Sequence, residues 1–126
     1  MGHNPTGGVL PTKRRQELYA LCSKFDIIII EDDPYWYLQF PSAAISEAKS
    51  RGLPEPDHSE ELSGHEFVRE GKSSGYDFID SLVPSYLSMD VDGRVIRLDT
   101  FSKTVAPGCR LGWITAQPRF IERFTR

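Results

Sequence analysis

The sequence predicts an α/β fold: part of a mostly parallel, helix-covered sheet, and an incomplete one. Three observations point there. Ile27-Ile28-Ile29-Ile30 is a run of β-branched residues without alternation, the pattern of a strand buried on both faces between helices. A helical pattern precedes this run, and two further short apolar runs follow near Arg94–Leu98 and Leu111–Ala116. The first run stops abruptly in Glu31-Asp32-Asp33-Pro34-Tyr35. Acidic groups just past the carboxyl end of a buried parallel strand lie where open α/β sheets keep their ligands.

The elements follow in order. Gly2, Pro5, Gly7 and Gly8 make the first ten residues a loop. A helix is expected from Thr12 to Phe25, with Thr12 as N-cap and Leu18, Leu21, Cys22 and Phe25 recurring on one apolar face. Lys13, Arg14, Arg15, Gln16 and Glu17 are expected to be solvated. Three cations in a first turn oppose the helix dipole, so this helix depends on packing. Residues 41–75 are rich in Ser, Glu, Pro and Gly and read as a mobile surface insertion, with a short helix near Ala43–Ser50. Phe78, Ile79, Leu82 and Val83 return to helical spacing until Pro84 interrupts it. Asp92-Gly93 is a turn, Arg94–Leu98 a second strand, Thr100–Gly108 a polar loop, and Leu111–Ala116 a third strand. Pro118 opens a last helix.

The chain has 126 residues, which allows one domain. Hydrophobic residues make up 39% and charged residues 26%, an ordinary globular balance. A net charge of -3 argues against nucleic acid held by a basic face. No apolar run approaches the roughly 20 residues that span a bilayer. The start, Met1-Gly2-His3-Asn4-Pro5, has neither a basic nor an apolar leader region, so neither a signal peptide nor myristoylation is expected. Cys22 and Cys109 form no metal or disulfide pattern, which suits a reducing compartment, and the expected location is cytoplasmic. His58 and His65 lack metal-ligand company, and no metal site is expected.

Three polar clusters sit next to the strands: His3-Asn4-Pro5-Thr6-Gly7, Asp32-Asp33-Pro34-Tyr35, and Thr100-Phe101-Ser102-Lys103-Thr104 followed by Arg110. Singly, each has an ordinary reading as a turn, a helix cap or a solvated surface. Trp36, Tyr37 and Phe40 read as packing, Cys22 as core, and Cys109 as a neighbour of the third cluster.

Together the clusters are more specific. Asn4-Pro5-Thr6-Gly7, then Asp32-x-x-Tyr35, then Ser102-Lys103 with Arg110 and Gly112 beyond, resemble in order the class I/II pyridoxal-phosphate aminotransferases of fold type I. The 28 residues from Asn4 to Asp32 are also family-like. Glu31-Asp32-Asp33-Pro34-Tyr35 most resembles the branch with fungal aromatic and kynurenine/2-aminoadipate enzymes. The resemblance implies a large-domain fragment with pyridoxal 5′-phosphate as cofactor, amino-acid and 2-oxo-acid substrates, and homodimers among full-length members. It implies that Lys103 is catalytic, bonding the cofactor aldehyde and moving a proton at the substrate Cα. Asp32 would hold the pyridine nitrogen protonated. Asp33 is its rival by adjacency, and the family's Asp-x-x-Tyr spacing selects Asp32. Tyr35 and Asn4 would bond the phenolic oxygen, while Thr100, Ser102 and Arg110 would hold the phosphate.

The departures are also plain. The family's phosphate-capping glycine loop, its ring-stacking aromatic residue and its small domain with a carboxylate-gripping arginine lie outside these motifs. The separation of 71 positions from Asp32 to Lys103 exceeds the family's usual distance, and the 41–75 insertion accounts for it. The alternative reading is a catalytically inactive remnant that is structural or regulatory, paired with a full-length relative. A nucleotide-binding domain is the weakest reading, because neither G-x-x-x-x-G-K-[ST] nor G-x-G-x-x-G is present.

Overall fold

A three-stranded sheet organises the chain in the computed structural model, which describes residues 2–39, 41–54, 74–80 and 82–126. The elements are α1 (Thr12–Lys24), β1 (Ile29–Asp32), α2 (Pro41–Ser50), a single turn α3 (Asp77–Asp80), β2 (Val95–Thr100), β3 (Gly112–Thr115) and α4 (Pro118–Phe124). Strand order is β1-β2-β3. The β1–β2 pair is parallel, with Glu31 opposite Arg97 and Asp32 opposite Leu98. The β2–β3 pair is antiparallel, with Asp99 opposite Trp113 and Thr100 opposite Gly112. The α/β class stands, and the sheet is mixed. Most of the expected insertion, residues 55–73 with His58 and His65, lies outside the described residues, as does Phe40. None of the described helices is long and apolar enough to cross a membrane.

Side chains alternate across a strand, so the sheet has two unlike faces. Ile29, Glu31, Val95, Arg97 and Asp99 share one face, which α1 and the segment 82–90 cover; Val95, Leu82 and Met89 are buried there. Ile30, Asp32, Ile96, Leu98, Thr100 and Ile114 share the other. There α4 sets Phe120 and Phe124 beside Ile28 and Ile96 around a groove of about 560 Å³.

This corrects the expectation that Ile27–Ile30 is buried on both faces. The strand begins only at Ile29, and Ile28 and Ile30 are 52% and 65% exposed. An unalternating apolar run reports that both faces can be covered, and among the described residues β1 lies at the edge of the sheet with no element on its second face beyond Ile28.

Helix α1 also differs from its reading. Thr12 is its first residue and is buried, while Pro11 occupies the cap position without a side-chain cap. The buried face is Thr12, Arg15 and Tyr19, whereas Leu21 and Phe25 are more than half exposed. Arg15 is therefore not solvated: it is 4% exposed and ion-paired. Arg14 pairs with Glu17 at 2.9 Å on the surface, and Cys22 is half-buried. The helix ends in a doubly bonded turn, with Ile27 N–H donating to the Cys22 carbonyl at 2.8 Å and Asp26 N–H to Ser23 at 3.3 Å. Asp26 takes the left-handed conformation there, φ 53°, a place glycine usually fills.

The loop into β2 is built on Tyr19 and Asp90. The Tyr19 hydroxyl donates to Asp90 at 2.9 Å and accepts from the Val91 and Asp92 amides, while Asp90 accepts from the Arg94 and Val95 amides. The expected second and third strands shift by a residue or two, to Val95–Thr100 and Gly112–Thr115, because β2 continues as far as its pairing with β3. Helix α2 begins slightly earlier than expected, at Pro41. Of the 76–87 stretch, only Asp77–Asp80 is α-helical among the described residues, and Leu87 opens a short 3₁₀ turn, Leu87–Met89.

Candidate functional site

Parallel pairing puts the carboxyl ends of β1 and β2 side by side, and the polar clusters gather at that end. Asp32 closes β1 on the open face, where its side chain is exposed; Asp33 next to it is 4% exposed on the covered side. The chain then turns, with Leu38 N–H donating to the Tyr35 carbonyl at 2.8 Å. Tyr35 is half-buried. From the end of β2, Lys103 reaches back until its Nζ lies 5.5 Å from the centroid of the Tyr35 ring. This contact ties the second cluster to the third.

Thr100 and Ser102 form a hydroxyl pair with oxygens 2.9 Å apart. The Thr100 hydroxyl also accepts from the Ser102 amide and donates to the Leu111 carbonyl. Arg110 lies in the connection from β2 to β3, in the left-handed conformation with φ 48°. Its guanidinium is exposed and donates to the Pro107 carbonyl at 3.1 Å, so it curls onto its own loop.

Asn4 is exposed in a loop closed by two backbone bonds, His3 N–H to Gly8 and Gly7 N–H to His3. The His3 ring nitrogen Nδ1 lies 2.9 Å from the Thr6 hydroxyl oxygen. Gly2 lies against the second cluster: a Cβ there would stand 3.9 Å from the Tyr35 Cβ. Asn4, Asp32 and Arg110 have no described bond to Tyr35 or Lys103, so among the described residues the Tyr35–Lys103 contact is the one that joins two of the expected residues from different clusters.

A cavity of about 360 Å³ opens beside the cluster, walled by Asp33, Pro34, Asp99, Thr100, Phe101 and Trp113 among others. Thr100 is the one expected cofactor residue in its wall, so the cavity faces mainly the other side of the sheet. Phe101 and Trp113 pack there with ring centroids 5.0 Å apart. The expected donor set fits pyridoxal 5′-phosphate in kind: an exposed primary amine, a carboxylate, a phenol beside the amine, and neighbouring hydroxyls with a guanidinium on the next loop. Among the described residues, no group of three His, Cys, Asp or Glu could hold a metal ion.

Beneath the site runs a chain of buried charges that sequence reading missed. Glu31, 6% exposed, accepts from the Tyr86 amide at 2.7 Å and the Leu87 amide at 3.2 Å. It faces Arg15 at 3.7 Å and Arg97 at 3.3 Å. Arg97 then grips Asp99 through Nε and Nη2 at 2.9–3.1 Å, and the Trp36 ring lies 5.1 Å from its guanidinium carbon. Trp36 is fixed in turn by donating to the Val83 carbonyl at 2.8 Å. Burial works against both arginine charges. At Arg97 the Asp99 hydrogen bonds and the Glu31, Asp99 and Asp33 charges outweigh burial and the pKa rises; at Arg15 burial prevails over Glu31, Tyr86 and Asp33 and the pKa falls. The available signal was the mixed charge of Arg97-Leu98-Asp99 two positions apart on a strand, but only the register brings Glu31 opposite.

Comparison with known proteins places the chain. The family model for aminotransferase class I and II matches residues 2–126. An aromatic amino acid aminotransferase of Schizosaccharomyces pombe, C56E4.03, is 49% identical over 125 residues, which are 99% of this chain and 22% of that protein. The crystal structure of aminotransferase Aro8 from Candida albicans superposes with a TM-score of 0.72 at 42% identity, covering 98% of this chain and 22% of that one. A Pyrococcus horikoshii kynurenine aminotransferase, solved in complex with PMP, superposes at 0.60 with 28% identity, covering 98% and 21%. The chain therefore spans about a fifth of the length of these proteins. Over that span it belongs to the class I and II aminotransferase family.

Proposed function

We propose that this chain supplies part of the active site of a pyridoxal 5′-phosphate-dependent aminotransferase that moves an amino group from an aromatic amino acid to a 2-oxo acid. The observation that carries the reading is the Lys103 amine 5.5 Å from the Tyr35 ring, at the end of the sheet where Asp32 and Thr100 also lie. The aromatic donor is taken from the S. pombe relative, and the cofactor from the family and the PMP-bound neighbour. Cytoplasmic location and homodimeric assembly of the whole enzyme belong to the same proposal.

When bound, the cofactor supplies an electron-withdrawing ring that stabilises the charge left at the substrate Cα. The chain's residues have separate tasks. Lys103 Nζ would hold the cofactor at its aldehyde carbon and, once released from it, would move a proton to and from the substrate Cα. The Asp32 carboxylate would keep a proton on the ring nitrogen. Tyr35 and Asn4 would donate to the phenolic oxygen, and Thr100, Ser102 and Arg110 would hold the phosphate.

The competing reading, an inactive remnant or a structural or regulatory partner of a full-length relative, draws on the exposure of Asp32 and the curled Arg110. Two measurements separate them. Purified chain is incubated with pyridoxal 5′-phosphate, reduced with borohydride and mapped by mass spectrometry; the proposal requires an adduct on Lys103 that Lys103→Ala lacks. Glutamate formation from an aromatic amino acid and 2-oxoglutarate is expected to fall far below the ~10 s⁻¹ of typical enzymes, because substrate orientation and a water-poor site need more than these residues. A wild-type chain with no adduct on Lys103 would favour the inactive reading.

A further inference from the structure

We propose that Arg97 is a positioning residue that holds the two halves of the candidate site in register, an inference that rests on the cofactor reading above. None of its described hydrogen bonds, ion pairs or ring contacts is with a residue expected to meet the cofactor. Each of its three side-chain partners is instead the chain neighbour of one of them: Glu31 precedes Asp32, Trp36 follows Tyr35, and Asp99 precedes Thr100. One guanidinium thus links β1, the turn after it, and the end of β2 that leads to Lys103.

Geometry makes this link consequential. Successive side chains in a strand point to opposite faces, so holding Glu31 inward against Arg97 holds Asp32 outward on the site face. A slip of one residue would exchange them, placing Asp32 among the buried groups and Glu31 at the site. The planar fork matters as well as the charge. Nε and Nη2 engage Asp99 together, Nη1 points to Glu31, and the flat face lies against Trp36. Nη1 is buried without a hydrogen bond of good geometry, so its place beside Glu31 is kept by charge and by the other two anchors. A lysine keeps the charge and cannot make these three contacts at once.

The test is Arg97→Lys beside two link-specific variants, Asp99→Asn and Trp36→Phe, with Tyr19→Phe as a control for general destabilisation at the far end of the sheet. The first readout is amide hydrogen exchange in the cofactor-free chain, which does not depend on the cofactor reading. Arg97→Lys is expected to speed exchange on the order of tenfold or more in both 33–38 and 101–106, relative to the rest of the chain. Asp99→Asn should do so only in 101–106, and Trp36→Phe only in 33–38. The second readout is the rate of borohydride-trapped adduct at Lys103 together with the visible absorption maximum of the loaded chain. Misplacement by about an ångström can cost a hundredfold, so Arg97→Lys should slow the adduct at least tenfold and move the maximum, while Tyr19→Phe changes neither. Uniform exchange across the chain in Arg97→Lys, or full recovery of the wild-type pattern by lysine, would overturn the proposal. If the wild-type chain forms no adduct, the cofactor reading fails, and the exchange pattern alone decides whether Arg97 couples the two segments.

Discussion

Replacing Glu31 with glutamine removes a negative charge that faces two buried guanidiniums. In the native fold the carboxylate lies 3.7 Å from Arg15 Nη1 and 3.3 Å from Arg97 Nη1, and its side chain is 4% exposed. The amide oxygen of glutamine can still accept from the Tyr86 or Leu87 amide, so those bonds are only partly lost. What disappears is charge compensation in a place water does not reach. Breaking a buried pair by removing one partner costs about 3–5 kcal/mol. Arg97 keeps Asp99, and Arg15 keeps the Leu10 and Pro84 carbonyls, which points to the lower end. A loss of about 3 kcal/mol corresponds to roughly 10 °C in Tm for a chain of this size. Urea unfolding followed by circular dichroism measures the loss, and a double-mutant cycle with Arg15→Met isolates the coupling. Arg15→Met removes one of the two facing cations, so the double variant should lose less than the sum of the singles. A Glu31→Gln cost below about 1 kcal/mol, the range of an exposed ion pair, would show instead that the three charges are hydrated and that Glu31 does not compensate Arg15 and Arg97.

The remaining predictions test other parts of the fold. Burial raises the Asp90 pKa, but hydrogen bonds from the Val95, Arg94 and Gly93 amides and the Tyr19 hydroxyl lower it further, to a value below the usual 3.8. A depressed carboxyl stabilises the fold above its unfolded pKa, so stability should fall as pH drops below about 4, and Asp90→Asn should flatten that slope in acid titrations of Tm. Leu82→Ala removes a side chain that is 1% exposed and should cost about 2–5 kcal/mol in chemical denaturation. A Cβ at Gly112 would stand 2.9 Å from the Asp99 carbonyl oxygen, so Gly112→Ala should push β3 from β2 and speed exchange of the Phe101 amide, which donates to the Leu111 carbonyl. Lys103→Ala, at an exposed position, should leave Tm within the ~0.5 kcal/mol equivalent of a surface change while abolishing the borohydride-trapped adduct.

Much of this protein is legible in one dimension. The α/β class follows from the period of its apolar residues, and the family from motif order and spacing, because both are properties of neighbours along the chain. The turn at Asp92-Gly93 and the helix opened by Pro118 are likewise local, since glycine at φ 68° and proline at a first helical position act through their own backbone. Burial is not local. Leu21 and Phe25 have the spacing of a buried face and are exposed; Arg15, in a run of cations, is buried. The difference arises because Arg15 alone in that run meets a carboxylate and a carbonyl supplied from distant segments, Glu31 and Pro84, besides the nearby Leu10 carbonyl. Ile30 shows the converse, since its hydrophobicity cannot supply a neighbour beyond an edge strand. The chemical inventory is written along the chain: an amine at Lys103, carboxylates at Asp32 and Asp33, and hydroxyls at Thr100 and Ser102. Folding sets which of these meet water, leaving Asp32 exposed and Asp33 buried, and it alone brings Arg97 between Glu31 and Asp99. The physical reason is register, because a strand presents alternate residues to opposite faces and which set faces inward depends on the long-range pairing of β1 with β2.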